Sequence, residues 1–188
     1  MLYFIGGASR AGKTRMAERI LADRRLAYLS VDCVVMGFTH GIPRYGIHDK
    51  LMPDEIGERL WPFLQAMCRS MLWCDLDYVI EGEAILPALL RGLADEHPGR
   101  IRACFLGFAD VDVDAKVGEI RAHGGGPTDW LTRESDAYVR DHVVNMVGFS
   151  RRLREDCARH GLRYFETSED FAGATDRARR WLLGEAGA

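Results

Sequence analysis

Residues Gly7-Ala8-Ser9-Arg10-Ala11-Gly12-Lys13-Thr14 satisfy the pattern G-x-x-x-x-G-K-[ST] at every fixed position. Glycines in such a loop let the backbone close around a polyphosphate with its N–H groups pointing inward. The helix that follows adds the partial positive charge of its first turn. The Lys13 ammonium would reach the β- and γ-phosphates, and the Thr14 hydroxyl would ligate Mg²⁺. A nucleotide and Mg²⁺ are therefore the expected ligands. Further along, Glu81 and Glu83 close an apolar run, two carboxylates that share a face if the strand extends that far. Gly82 between them would let a ligand approach closely. Arg44 and Arg59 hint at an anionic substrate.

Such residues need a frame. The loop follows the apolar run Leu2–Ile5 and precedes a helical pattern over Lys13–Asp23, which gives the strand–loop–helix context the motif requires. Further strands are expected at Leu26–Val31, Tyr78–Ile80, Ile101–Leu106 and Arg163–Phe165, too continuously apolar for one-sided hairpin strands. Between them lie helical patterns at Asp54–Trp73, Leu86–Glu96, Val113–Ala122, Ser135–His160 and Asp170–Leu183. In Asp54–Trp73, residues Ile56, Leu60, Leu64, Met67 and Met71 form one apolar stripe, and Pro62 is expected to kink or split the helix. Strands alternating with helices imply βαβ crossovers, hence an α/β fold with a doubly wound, parallel, five-stranded sheet. Gly37–Pro53 and His123–Glu134, rich in glycine and proline, are expected to be a long loop and a flexible joint.

Composition narrows the class. The chain has 188 residues, 47% hydrophobic and 28% charged, with a formal net charge of −3. That suits one compact domain and argues against a dedicated nucleic-acid binder. No apolar run is long enough to span a bilayer and no secretory signal is recognisable, so a cytoplasmic protein without membrane partners is expected, as monomer or homodimer. The five cysteines are scattered without a C-x-x-C pair and are expected to be reduced packing residues. Trp61 and Trp73 are expected in the core, with Trp130 a candidate interface anchor. Of 25 basic residues only Lys13, Lys50 and Lys116 are lysine, so a lysine within the phosphate motif stands out. The single asparagine, Asn145, does not belong to an Asn-Lys-x-Asp guanine-reading element, which argues against a switch GTPase.

With this loop opening a short chain, the sequence resembles the P-loop small-molecule kinases of the adenylate-kinase-like group, closest in character to the 2-phosphoglycerate-kinase-like, gluconate-kinase-like and chloramphenicol-phosphotransferase-like proteins. The resemblance covers the whole chain in element order, and the loop is its diagnostic part. It implies one kinase domain with an acceptor-binding insertion at about 37–74 and a lid at about 121–140. It implies ATP and Mg²⁺ as cofactors, and transfer of the γ-phosphoryl group to a hydroxyl of a small acceptor. In Leu29-Ser30-Val31-Asp32-Cys33, the resemblance gives Asp32 the task of orienting or deprotonating that hydroxyl, and a share in holding Mg²⁺. Glu81 takes the place of the usual Walker B aspartate, so that Glu81 or Glu83 would hold the acceptor or a water of the magnesium shell. Arg121 is placed as the lid arginine that closes over phosphate, followed by Arg133 and Arg140. Thr167 is placed at the adenine edge, unless it or Ser168 caps the last helix. Two other readings stay open: a nucleoside or nucleotide kinase, although Glu81-Gly82-Glu83-Ala84-Ile85 replaces the Asp-Gly-Phe-Pro-Arg segment of adenylate kinases, and a nucleotide-dependent regulator or partner-binding switch with little turnover.

Overall fold

The computed structural model of the chain describes residues 1–124 and 129–185. Its five strands are β1 (Leu2–Gly7), β2 (Tyr28–Ser30), β3 (Tyr78–Gly82), β4 (Ile101–Gly107) and β5 (Arg163–Glu166). Its helices are α1 (Lys13–Arg24), α2 (Val31–Gly41), α3 (Pro53–Trp73), α4 (Pro87–Glu96), α5 (Val113–His123), α6 (Asp136–Arg159) and α7 (Phe171–Leu183). Short 3₁₀ turns at Pro43–Tyr45 and Leu131–Arg133 complete the described elements. All the strand pairs are parallel, in the order β2-β3-β1-β4-β5. The expected doubly wound, five-stranded sheet is what the chain forms.

The central strand explains the core. Leu2 and Ile5 of β1 are completely buried, and Phe4 nearly so, as expected of a strand covered on both faces. Helices α1 and α7 pack together on one face, and α4 and α6 meet on the other. Register sets the future site: Ile5 lies level with Glu81 on one side and Cys104 on the other, while Ser30 of β2 is level with Glu81. The carboxyl ends of β1, β2 and β3 therefore open onto one edge, where open α/β sheets bind ligands.

Five expectations are corrected here. Gly37–Pro53 is not one loop, because α2 runs through Gly41 and a 3₁₀ turn follows. Val31 and Val35 bury one side of α2, and that anchorage outweighs the weak helix propensity of Gly37, Thr39 and Gly41. Strand β2 consequently stops at Ser30, and Asp32 lies in the first turn of α2 rather than at a strand end. Pro62 does not split α3, which continues over 21 residues because Ile56, Leu60, Trp61, Leu64, Cys68 and Leu72 fasten it on both sides of the proline. Trp73, at the last position of α3, is 89% exposed, whereas Trp61 is in the core. Cys68, Cys104 and Cys157 are buried as expected, but Cys33 and Cys74 are at the surface. Of the expected joint and lid, residues 125–128 lie outside the described residues. Among the described residues no helix is long and apolar enough to cross a membrane.

Candidate active site

The Gly7–Thr14 loop leaves the end of β1 between β3 and β4, and backbone geometry dictates its glycines. Gly7 has φ +141°, and a Cβ there would come 2.1 Å from the carbonyl oxygen of Leu106. Gly12 has φ +98°, and its Cβ would meet the Phe171 ring at 2.8 Å. Neither site accepts a side chain without moving an adjoining element. The loop is pinned by Ala8 N–H donating to Leu106 O at 3.0 Å and by Ala11 N–H donating to Ala8 O at 3.2 Å. Arg10 adopts left-handed backbone with φ +63°. Its guanidinium pairs with Asp129, a buried carboxylate just after residues 125–128, and thereby ties the loop to the segment after α5.

Lys13 and Thr14 open α1. Lys13 is 6% exposed; its ammonium donates to Ala8 O at 2.8 Å and lies 3.9 Å from Oε1 of Glu83. The Thr14 hydroxyl donates to Oε1 of Glu81 at 3.3 Å. Glu81 is completely buried, and its Oε2 has no hydrogen-bond partner. Burial pushes the Glu81 carboxyl above the ordinary carboxylate range, opposed by Lys13 and by the Ser30 and Thr14 hydroxyls and reinforced by Asp32. Glu83 is raised in the same way, first by burial and then by Asp32 and Glu81, against the pull of Lys13 and Ser9. Strand β3 ends at Gly82, yet both carboxylates lie within the field of Lys13. Asp32, exposed on α2, is the third negative group of the set. The space around Gly82 is not left for a ligand, since a Cβ there would come 2.6 Å from the Val31 Cβ. The glycine lets α2 start against β3.

Other residues singled out by the sequence have local partners. Arg121 donates to the Thr132 and Glu134 carbonyls, each at 2.7 Å, and pairs with Asp136. Its guanidinium braces the end of α5 against the Leu131–Arg133 turn and the start of α6. Arg133 is exposed on the 3₁₀ turn, and Arg140 pairs with Asp114 across α5 and α6. Arg59 donates to Gly46 O at 2.6 Å and faces Glu55, while exposed Arg44 lies over the Tyr45 ring. The Thr167 hydroxyl donates to Gly107 O at 3.0 Å and fixes the turn after β5 to the end of β4. Asp170, not Thr167 or Ser168, caps α7 by accepting from Gly173 N–H at 2.9 Å.

Three residues that sequence reasoning passed over complete the edge. A cavity of about 200 Å³ beside the loop is bounded by Arg10, Arg15, Lys116, Glu119, Ile120 and Phe171, among others. Lys116 is 3% exposed, its ammonium 5.0 Å from the Phe108 ring centre, 5.6 Å from that of Phe171 and 2.9 Å from Glu119. Arg15 lies over the outer side of the assembly, 5.8 Å from the Phe171 ring centre. A cation held among aromatic rings on one edge of an α/β sheet makes a flat, part-apolar, part-polar wall next to a phosphate cradle. The scarcity of lysine in the chain is the one signal that could have pointed to Lys116.

No protein-family model matches the chain, and no curated protein matches it in sequence. Solved structures do. A sugar kinase from Janibacter sp. HTCC2649 is similar at 17% identity with a TM-score of 0.55, over 98% of this chain and 95% of the other. A shikimate kinase from Bacteroides thetaiotaomicron is similar at 15% identity and a TM-score of 0.55, over 98% of both chains. A shikimate kinase from Acinetobacter baumannii, in complex with shikimate, is similar at 15% identity and a TM-score of 0.54, over 100% of this chain and 95% of the other. The strand-end loop, the parallel sheet and its helices together have the fold of these sugar and shikimate kinases.

Proposed function

We propose that the protein is an ATP- and Mg²⁺-dependent phosphotransferase that moves the γ-phosphoryl group to a hydroxyl of a small, anionic metabolite. One observation carries this reading: Lys13 and Thr14 at the start of α1 face Glu81 and Glu83, with Asp32 close by, at a single strand edge. Loop N–H groups from Gly7 to Gly12, with Lys13, would bind and neutralise the phosphates. The donor set suits Mg²⁺, because the Thr14 hydroxyl stands beside a buried carboxylate whose Oε2 has no partner. Such ions favour one or two carboxylates together with water and substrate phosphate. When bound, Mg²⁺ would supply charge neutralisation at the β- and γ-phosphates.

In the transfer, the acceptor oxygen forms a bond to the γ-phosphorus, and the bond from that phosphorus to the β–γ bridging oxygen breaks, releasing ADP. Asp32 orients the acceptor hydroxyl and takes its proton. Its exposure in the first turn of α2, whose buried residues are Val31 and Val35, supports that role. Helix α2, the Pro43–Tyr45 turn and α3 form the acceptor side, with Arg44 offering an exposed guanidinium to a carboxylate or phosphate on the acceptor. The cavity between Arg10, Lys116 and Phe171 receives the nucleotide base. Arg121 contributes by holding the lid arms together, which helps to exclude water on closure.

The test is ADP formation with ATP and Mg²⁺ across sugar acids, phosphoglycerates, nucleosides and aminocyclitols. Turnover with one anionic class, cut by about 10²–10³-fold or more in Lys13→Ala, is the expected result. Asp32→Asn should keep ATP binding while losing transfer to a similar extent. Full activity in Lys13→Ala would sink the loop's role. Tight ATP binding without turnover on any acceptor would favour a nucleotide-dependent switch.

A further inference from the structure

A second cavity, of about 310 Å³, runs between α1 and α7 and shares only Arg15 and Phe171 with the cavity beside the loop. Its cations are Arg15, Arg19 and Arg179, and its apolar wall is Met16, Phe171 and Ala172. The local carboxylates are too few for the guanidinium groups around it. Asp176 is shared by Arg19 at 3.3 Å, Arg179 at 3.4 Å and Arg180 at 3.1 Å. Glu185, the other partner of Arg179 at 3.4 Å, is engaged by Arg24 at 2.6 Å. The second partner of Arg19, Asp23, is at 3.6 Å.

Arg179 is the most telling of the three. Its side chain is only 12% exposed, both of its carboxylate contacts are longer than a good charge-assisted hydrogen bond, and its buried Nε has no partner. Buried polar groups are ordinarily satisfied, and a guanidinium has five N–H donors to place. Arg15 has no carboxylate partner among the described residues and rests on Phe171 alone. Thr175, on the same wall, spends its hydroxyl on the Phe171 and Ala172 carbonyls of its own helix. The groove thus offers a surplus of planar donor forks, which match the oxygens of a phosphate.

We infer that the α1–α7 groove is a second phosphate-binding site, separate from the Gly7–Thr14 loop, in which Arg15, Arg19 and Arg179 hold a phosphate group, either free or borne by a small phosphomonoester. The site adjoins the nucleotide side directly. Phe171 and Thr175 fill the space that a Cβ on Gly12 would need, so the groove and the loop share a wall.

Calorimetric titration tests the site without relying on turnover. Inorganic phosphate and glycerol phosphate are titrated separately into the wild-type chain saturated with Mg²⁺ and a non-hydrolysable ATP analogue, and into Lys13→Ala without nucleotide. The expected result is one bound equivalent in both proteins, weakened at least tenfold in Arg19→Ala and in Arg179→Lys. Arg19 is 56% exposed, so its variant should fold even if an Arg179 variant does not. Tighter binding of glycerol phosphate would identify a phosphorylated metabolite as the ligand; tighter binding of inorganic phosphate would identify the free anion. No binding to either protein, or equal binding in the arginine variants, overturns the site. Because the readout is occupancy, absence of kinase turnover would count against the proposed function and leave this inference standing.

Discussion

Glu81 puts a carboxyl where the fold resists charge. Burial raises its carboxyl, so the folded state holds the proton more tightly than the unfolded chain does. Stability from this group is therefore fully present below the ordinary carboxylate range and is lost as pH rises through the raised folded value. Glu81→Gln keeps an acceptor for the Thr14 hydroxyl and removes the buried charge. We expect a higher melting temperature than wild type at pH 8, a gap that narrows as pH falls toward the ordinary carboxylate range, and transfer reduced about a hundredfold or more. Thermal unfolding across pH checks it, and a gap independent of pH would show that charge burial is not the cause. Glu81 was legible in the sequence as the end of an apolar run, just as Lys13 and Thr14 were legible from spacing. Lys116, Phe171 and Arg15 were not, since they reach one cavity from α5, α7 and α1, separate elements whose meeting depends on tertiary packing.

Helix α3 shows the limit of local rules at the next scale. Proline inside a helix removes an N–H donor and crowds the preceding turn, yet α3 continues past Pro62 because its buried stripe runs along the whole length. Pro62 itself is exposed, so replacing it sacrifices no core contact. Pro62→Ala should stabilise the chain by about 1–2 kcal/mol, after allowing for the freer unfolded chain. Urea unfolding with an unchanged slope is the measurement, and loss of stability would mean that the ring serves packing or helix geometry here. The apolar periodicity made α1, α3, α4, α5, α6 and α7 readable to within a few residues at their ends. Helix α2 was hidden because its glycines, Thr39 and His40 read as a loop, while the burial of Val31 and Val35 that overrides them arises only once β3 is beside them. The same element explains the shift of Asp32 from a strand end to a helix start.

For the whole molecule, the order β2-β3-β1-β4-β5 makes the strand nearest the amino terminus the middle of the sheet. The phosphate loop hangs on that strand and is pinned by Leu106 of β4. A chain cut after Glu96, at the end of α4, should therefore bind no ATP analogue despite retaining every residue of Gly7–Thr14. Calorimetry on that fragment gives the answer, and binding at the affinity of the full chain would show that β4 is dispensable to the loop. The alternation of strands and helices announced a parallel sheet, but which strand would be central was fixed by pairings distant in sequence. Strand β1, with Leu2, Phe4 and Ile5 along it, is made before both of its partners and must wait for residues of β3 and β4 before its two edges are paired. Until synthesis has passed Gly107 at the end of β4, that apolar segment is a sticky ribbon, and its protection in the cell falls to the ribosome surface and to chaperones rather than to the fold itself.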